Sequence, residues 1–139
     1  MKFNEFYSLT IVHSRDIILV KGVDYMNITK QKSQKTFDKQ AADYDTNIQG
    51  EHARKLYKPI IENLKNKNIH SILDLGCGTG ALLKEIKELN IAEQLFGIDI
   101  SPNMLEIAKN KLGNDATLIL GDSERLPFED SSFDAIVCN

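Results

Sequence analysis

The sequence predicts an α/β fold, a doubly wound parallel sheet, on three observations. Short apolar runs that end in an acidic residue recur in the second half of the chain, and glycine occupies every second position directly after the first of them. Segments with apolar residues at helical spacing follow the first two runs. Strand, turn and helix in this order form the unit of doubly wound folds, whose ligands bind outside the carboxyl ends of the strands. We therefore expect a ligand site where the apolar runs end.

The first run and its glycine turn carry most of this prediction. Residues 72–80 read ILDLGCGTG, and residues 81–89 read ALLKEIKEL, with apolar positions on one helix face. Glycine lets the backbone adopt positive φ and lets another molecule approach closely. The dinucleotide pattern G-x-G-x-x-G does not fit, because the third glycine arrives one residue early.

Three further segments continue the pattern. Residues 95–101 read LFGIDIS, and Asp99 lies 23 residues after Gly76, close to the interval of roughly 20 residues at which an acid meets a ribose diol. Ser101 and the proline after it predict the start of the next helix. Residues 118–128 (LILGDSERLPF) and 132–139 (SFDAIVCN) predict the third and fourth strands.

These segments, in this order, resemble motif I and the later motifs of the class I S-adenosylmethionine (SAM)-dependent methyltransferases. The resemblance is closest to the small-molecule branch around the ubiquinone and menaquinone biosynthesis enzymes. It implies a Rossmann-like doubly wound sheet of the class I methyltransferases with strand order 3-2-1-4-5-7-6, incomplete here because only strands 1–4 of 7 are present. It also implies SAM as cofactor and direct displacement at its sulfonium methyl group, with no catalytic residue identified in this chain.

The resemblance further implies which residues contact the cofactor. In the family, the turn glycines approach it closely, an acid after the second strand meets the ribose, and an acid after the third strand meets the adenine amine while the next backbone N–H meets a ring nitrogen. A residue in the loop after the fourth strand also belongs to the site. The corresponding positions here are Gly76, Gly78, Asp99, Ile100, Asp122, Ser123 and Asn139.

Three other candidates keep two interpretations each. Asp74 contacts the amino group of the cofactor, or holds the glycine turn through backbone N–H groups. Tyr44 points at the methionine carboxylate, as the resemblance implies, or is an aromatic anchor on the surface of the domain. Met104 covers an adenine face, or belongs to the core, and the core interpretation is slightly favoured.

Composition excludes several other kinds of site. The net charge is −3, and the lysines at 30, 32, 35 and 39 alternate with polar residues, so a solvated helix face is favoured over a nucleic-acid site. The two cysteines and three histidines lack metal-ligand spacing, so no metal is expected. No apolar run is long enough for a membrane span, and reduced cysteines suit a cytoplasmic protein.

The chain divides into three predicted regions. Residues 1–25 form an unmatched N-terminal extension, residues 26–66 a helical region before the sheet, and residues 67–139 the SAM-binding part. We expect Met26 to be the working start, and the extension to be dispensable for stability. We also expect the chain to be truncated, to leave its fourth strand with an unpaired edge that favours self-association, and to lack methyl transfer by itself.

Three functions fit these observations. The leading one is the cofactor-binding part of a methyltransferase that acts on a small-molecule acceptor. The second is a catalytically silent fragment that binds SAM or a partner chain. An NAD-dependent oxidoreductase is the third, and the spacing of the glycines argues against it.

Overall fold

The computed structural model describes the backbone of residues 6–13, 16–22 and 27–139, and the side chains of residues 30–139. From residue 27 onward the helices and strands follow the predicted order, whereas the two strands before residue 23 were not predicted. In chain order they are β1 (Phe6–His13), β2 (Asp16–Gly22), α1 (Asn27–Gln40), a 3-10 turn (Ala41–Asp43), α2 (Ile48–Leu64), β3 (Ile69–Leu75), α3 (Ala81–Glu88), β4 (Ala92–Asp99), α4 (Pro102–Leu112), β5 (Ala116–Leu120) and β6 (Ala135–Cys138).

The described strands form one sheet in the order β2-β1-β6-β3-β4-β5. The strands β6, β3, β4 and β5 are parallel to one another, with Leu73 opposite both Phe96 and Ile136. These are the four predicted strands, so the Rossmann-like fold of the class I methyltransferases is confirmed. Their carboxyl ends lie along one edge of the fold, where the glycine turn and the predicted acids are found.

One contiguous core cluster joins the helices to the parallel strands. It includes Ile60 and Leu64 of α2, Leu83 of α3, and Ile72 and Val137 of the sheet, all of them fully buried. The helix starts are set locally. The Asn47 side chain accepts a hydrogen bond from the Gly50 N–H at the start of α2, and Ser101 accepts one from the Met104 N–H at the start of α4.

The edge of β6 is paired, which corrects a prediction from the sequence. Strand β1 runs antiparallel to β6, with Thr10 opposite Cys138 and His13 opposite Ala135. Strand β2 pairs with the other side of β1. The predicted unpaired edge, and the self-association through it, are therefore wrong. Backbone pairing needs only N–H and C=O groups, so a segment that matches no family motif can provide it. The three predicted region boundaries remain predictions.

Among the described residues, no helix combines the length and the apolar character that crossing a membrane requires. The longest described helix, α2, has 17 residues and a mixed polar and apolar sequence.

The pairing of β1 with β6 predicts that residues 1–25 are needed for stability, contrary to the expectation above. Deleting them from this chain exposes the β6 edge, and we expect Tm to fall by about 5 °C or more, with concentration-dependent association. Thermal unfolding and sedimentation velocity measure the two effects. A variant with residues 6–22 replaced by a glycine-serine linker of equal length is the control and is expected to behave as the deletion does. An unchanged Tm with a monomeric deletion variant would contradict the role of the hairpin.

Candidate functional site

A cavity of about 350 Å³ lies at the carboxyl ends of β3, β4, β5 and β6. The end of each strand contributes to its wall, and α1 and α2 contribute from the other side. The residues predicted from the sequence all line this cavity: Tyr44, Asp74, Gly76, Gly78, Asp99, Ile100, Met104, Asp122, Ser123 and Asn139. The structure thus brings together residues that are up to 95 positions apart in the chain.

The glycine turn after β3 is open toward the cavity at two positions. Gly76 has a φ of 73° and Gly78 a φ of 51°, a region that glycine adopts without steric cost. A Cβ atom placed on either residue would meet no heavy atom within 4 Å. The Gly76 and Cys77 N–H groups donate to the Ile98 carbonyl at 2.8 and 3.1 Å, so the turn is held against β4. The backbone at both glycines is consequently free to approach a ligand.

The third glycine, Gly80, serves packing instead. It precedes α3 with a φ of 73°. A Cβ atom there would lie 2.8 Å from Leu112 Cδ1 and 3.1 Å from Ala108 Cβ, closer than side chains normally approach. The absence of a side chain at Gly80 therefore lets α4 pack against the start of α3.

Asp99 connects the glycine turn with the loop that follows β4. Its Oδ2 accepts a hydrogen bond from the Gly78 N–H at 2.8 Å, and its Oδ1 accepts one from the Ser101 N–H at 2.8 Å. Burial raises the pKa of this carboxyl above its ordinary value, although the backbone N–H groups of Ser101, Gly78 and Ile100 act in the opposite direction. The loop-holding role that the sequence left open for Asp74 is thus performed by Asp99.

Two residues that line the cavity, Asp74 and Asn139, each carry a buried acceptor atom without a partner among the described residues. Asp74 is 2% exposed, and its Oδ1 receives no hydrogen bond. Burial, together with the nearby charge of Asp99, raises the pKa of Asp74 to about 7. The Asn139 Oδ1 is likewise buried without a donor, while its Nδ2 donates to the Ala53 carbonyl at 3.2 Å. Since buried acceptors without donors are costly, the pair suits a ligand group with several N–H donors.

One face of α1 forms the opposite wall of the cavity. Lys30, Ser33 and Phe37 lie on it at helical spacing, and the Phe37 and Tyr44 rings meet edge to face with centroids 6.1 Å apart. The interpretation of the α1 lysines as solvated is therefore wrong for Lys30, whereas Lys32 is exposed. The i, i+3, i+7 spacing of Lys30, Ser33 and Phe37 places them on one face of the helix in the sequence. A polar helix, however, gives no indication of which of its faces packs against the rest of the protein.

The segment from Lys30 to Asp45, here called the cap segment, is tied to three loops of the cavity. Each tie is polar and reaches the loop after a different parallel strand, and the ties through Asp45 and Asp38 also reach α4. Asp45 accepts hydrogen bonds from Thr79 at 2.5 Å and from Lys111 at 2.7 Å. Asp38 accepts hydrogen bonds from the Ser101 hydroxyl at 2.5 Å and from the Asn103 N–H at 3.4 Å. Lys30 donates to Asp122 at 2.7 Å and also to Glu124.

Three further residues, Met104, Tyr57 and Arg54, lie in or near the cavity wall. Met104 is 2% exposed and also lines the cavity, so both interpretations of this residue are compatible with its position. Tyr57 lines the cavity, whereas Arg54 donates to the Tyr44 and Asn47 carbonyls at 2.8 and 2.7 Å and so stabilises the chain before α2.

In the part of the chain from residue 30 onward, no group of three or more metal-ligating side chains is positioned to hold an ion.

Comparison with known sequences identifies similar proteins over most of the chain. Residues 72–139 match the model of a family described as a methyltransferase domain. A demethylmenaquinone methyltransferase of Thermotoga maritima is 36% identical over 111 residues, which are 78% of this chain and 48% of that protein. A malonyl-[acyl-carrier protein] O-methyltransferase of Priestia megaterium is 35% identical over 115 residues, covering 81% of this chain and 41% of that protein. The chain spans about half, or less, of these curated relatives.

Solved structures share the fold. A complex between the Haloferax volcanii Trm112 methyltransferase activator and a putative methyltransferase includes a chain that is 29% identical, with a TM-score of 0.57 over 70% of this chain and 44% of that one. The YcgJ protein of Bacillus subtilis is 26% identical, with a TM-score of 0.55 over 61% of this chain and 37% of that one.

Replacing Gly80 by alanine is expected to destabilise the protein more than the same change at Gly76. Both residues have the same positive φ, so each variant loses about 1–2 kcal/mol to backbone strain. Only Gly80→Ala also pushes Ala108 and Leu112 away from residue 80, which costs a further ~1–3 kcal/mol. Urea unfolding of both variants measures the difference. Equal losses in the free energy of unfolding for the two variants would show that α4 can move away from residue 80 without a cost in stability.

Asp74 is expected to make the ligand-free protein less stable as the pH rises. Its folded pKa of about 7 exceeds the ordinary value of 3.8, so its contribution to stability is complete below about pH 4 and is lost as the pH rises through 7. The Tm of Asp74→Asn should therefore exceed that of the wild type by more at pH 8 than at pH 5. The exposed Asp130, changed to asparagine, is the matched control, with a small difference at both pH values. A difference for Asp74→Asn that does not vary with pH would refute the assignment.

Proposed function

Since this chain belongs to the class I SAM-dependent methyltransferases, we propose that its cavity binds SAM and serves methyl transfer to a small-molecule acceptor. One observation carries the proposal: every residue predicted from the sequence to contact the cofactor lines one cavity. The free cysteines Cys77 and Cys138 favour a cytoplasmic location, because disulfides rarely persist there.

The ribose of the cofactor is assigned to Asp99. Each oxygen of a carboxylate accepts two hydrogen bonds, and each Asp99 oxygen has one backbone N–H donor in the ligand-free structure. One acceptor position per oxygen remains, which suits the two hydroxyl groups of a ribose. The same carboxylate then positions the glycine turn and binds the ligand.

The amino group of the methionine part is assigned to Asp74 and Asn139. Their unpaired oxygens require donors, and an ammonium group supplies three N–H donors together with a positive charge. The charge also favours the ionised form of Asp74, so binding the ammonium group lowers the pKa of Asp74. The open space at Gly76 and Gly78 lets the ligand lie directly against the backbone.

The adenine is assigned to the loop after β5. Asp122 and Ser123 line the cavity there, and Met104 lines it from α4. An ionised carboxylate accepts a hydrogen bond from the exocyclic amine, and the polarizable thioether of Met104 suits contact with the base. Tyr44, at the end of the cap segment, is left to face the carboxylate of the methionine part.

The chain's residues contribute binding and orientation rather than covalent chemistry. When bound, SAM supplies an electrophilic methyl carbon that an oriented acceptor attacks directly. Asp74 holds the ammonium group and Asp99 holds the ribose, so the sulfonium centre between these two groups is oriented. The cap segment excludes water from the side of the cavity that faces α1. Methyl transfer to an acceptor that is already nucleophilic requires no general base, and none is assigned here.

Calorimetric titration with S-adenosylhomocysteine (SAH), SAM and NAD tests the proposal. The first two ligands should bind and NAD should not. Asp99→Asn should weaken SAH binding by about 10- to 150-fold, the range for hydrogen bonds to a charged group. Asp115→Asn, an exposed acid before the amino end of β5, is the control and should leave the affinity unchanged. Binding of NAD in preference to SAH, or equal affinities for both variants, would refute the assignment.

A further inference from the structure

Lys30 reaches from α1 into the wall of the cavity and contacts the acid assigned to adenine. Its Nζ donates to Asp122 Oδ2 at 2.7 Å and also to Glu124, and its side chain is 25% exposed. The other oxygen of Asp122 accepts the Glu124 N–H at 2.9 Å. Each carboxylate oxygen of Asp122 thus has one donor on the protein, and the plane of the carboxylate is fixed by both.

The surrounding donors and charges lower the pKa of Asp122. Partial burial alone would raise the pKa of this carboxyl, but the hydrogen bonds from Lys30 and from the Glu124 N–H lower it overall, and the charge of Arg125 adds to the effect. The two acids in turn raise the pKa of Lys30. Within the described residues, the groups around Lys30 therefore form one charged cluster at the edge of the cavity.

We propose that Lys30 is a positioning residue that makes the site selective for a purine with an exocyclic amine. By fixing the plane of the Asp122 carboxylate, Lys30 directs its remaining lone pairs into the cavity. An amine on the base donates to these lone pairs, whereas a carbonyl at the same position meets a negatively charged acceptor without a proton between them. This inference rests on the proposed SAM site.

The position of Lys30 separates this role from a general one in holding the cap segment. The cap segment has two other ties, through Asp38 to the loop after β4 and through Asp45 to the glycine turn. Neither tie involves Asp122. Loss of Lys30 should consequently leave α1 attached and change mainly the orientation and charge of Asp122.

The test compares SAH with S-inosylhomocysteine, in which a carbonyl replaces the exocyclic amine. Wild-type protein should prefer SAH by at least about 10-fold. Lys30→Met should weaken SAH binding by about 10-fold and S-inosylhomocysteine binding by less than about threefold, so that most of the preference is lost. Lys32→Met removes the same charge from the exposed side of the same helix and should change neither affinity. Lys30→Arg, which keeps a cationic donor, should retain the preference.

The outcomes distinguish this inference from the proposed function. Equal weakening of both ligands by Lys30→Met would overturn the inference, because it would show that Lys30 only holds α1 in place. A wild-type protein that binds both ligands equally well would also overturn it. A wild-type protein that binds neither ligand would refute the SAM site itself. Thermal unfolding of Lys30→Met and Lys32→Met, expected at similar Tm, confirms that both are folded.

Discussion

The Asp99 carboxylate joins the two loops on which the rest of the cavity depends. It accepts the Gly78 N–H on one oxygen and the Ser101 N–H on the other, while the carbonyl of the preceding Ile98 accepts two further N–H groups of the glycine turn. These bonds hold the end of β3 against the end of β4. Burial raises the pKa of Asp99, and the backbone N–H donors act in the opposite direction because they stabilise the charged carboxylate.

Acidic side chains outnumber basic ones on the cavity wall. Asp74, Asp99, Asp122 and Glu124 line it, and Lys30 is the sole cationic residue among the lining residues of the described chain. Burial raises the pKa of Asp74 and Asp99, and the charge of Asp99 raises that of Asp74 further. A ligand with positive charge relieves this repulsion, whereas the pyrophosphate of a dinucleotide would increase it. The charge of the wall, together with the spacing of the glycines, therefore favours a sulfonium cofactor over NAD.

The features predicted correctly from the sequence depend on residues that are close together in the chain. The parallel strands follow from apolar runs, and the start of α4 follows from serine and proline at 101 and 102. The pairing of β1 with β6 joins segments separated by most of the chain, and backbone pairing leaves no side-chain pattern that could reveal it. The inward position of Lys30 was missed for a related reason. It depends on how α1 docks, and a polar helix has no apolar face that indicates the docking direction.

The polar character of α1 distinguishes it from the other walls of the cavity. No described side chain of α1 is buried, and the cap segment is held by ion pairs and hydrogen bonds at Lys30, Asp38 and Asp45. An exposed ion pair contributes only about 0–1 kcal/mol, but the ties through Asp38 and Asp45 end on Ser101 and Thr79, which are buried. The strand ends that carry Asp74 and Asp99 are instead continuous with the apolar core of the sheet. The acids on the strand ends are therefore positioned by the core, whereas the facing wall, α1, is positioned mainly by polar contacts.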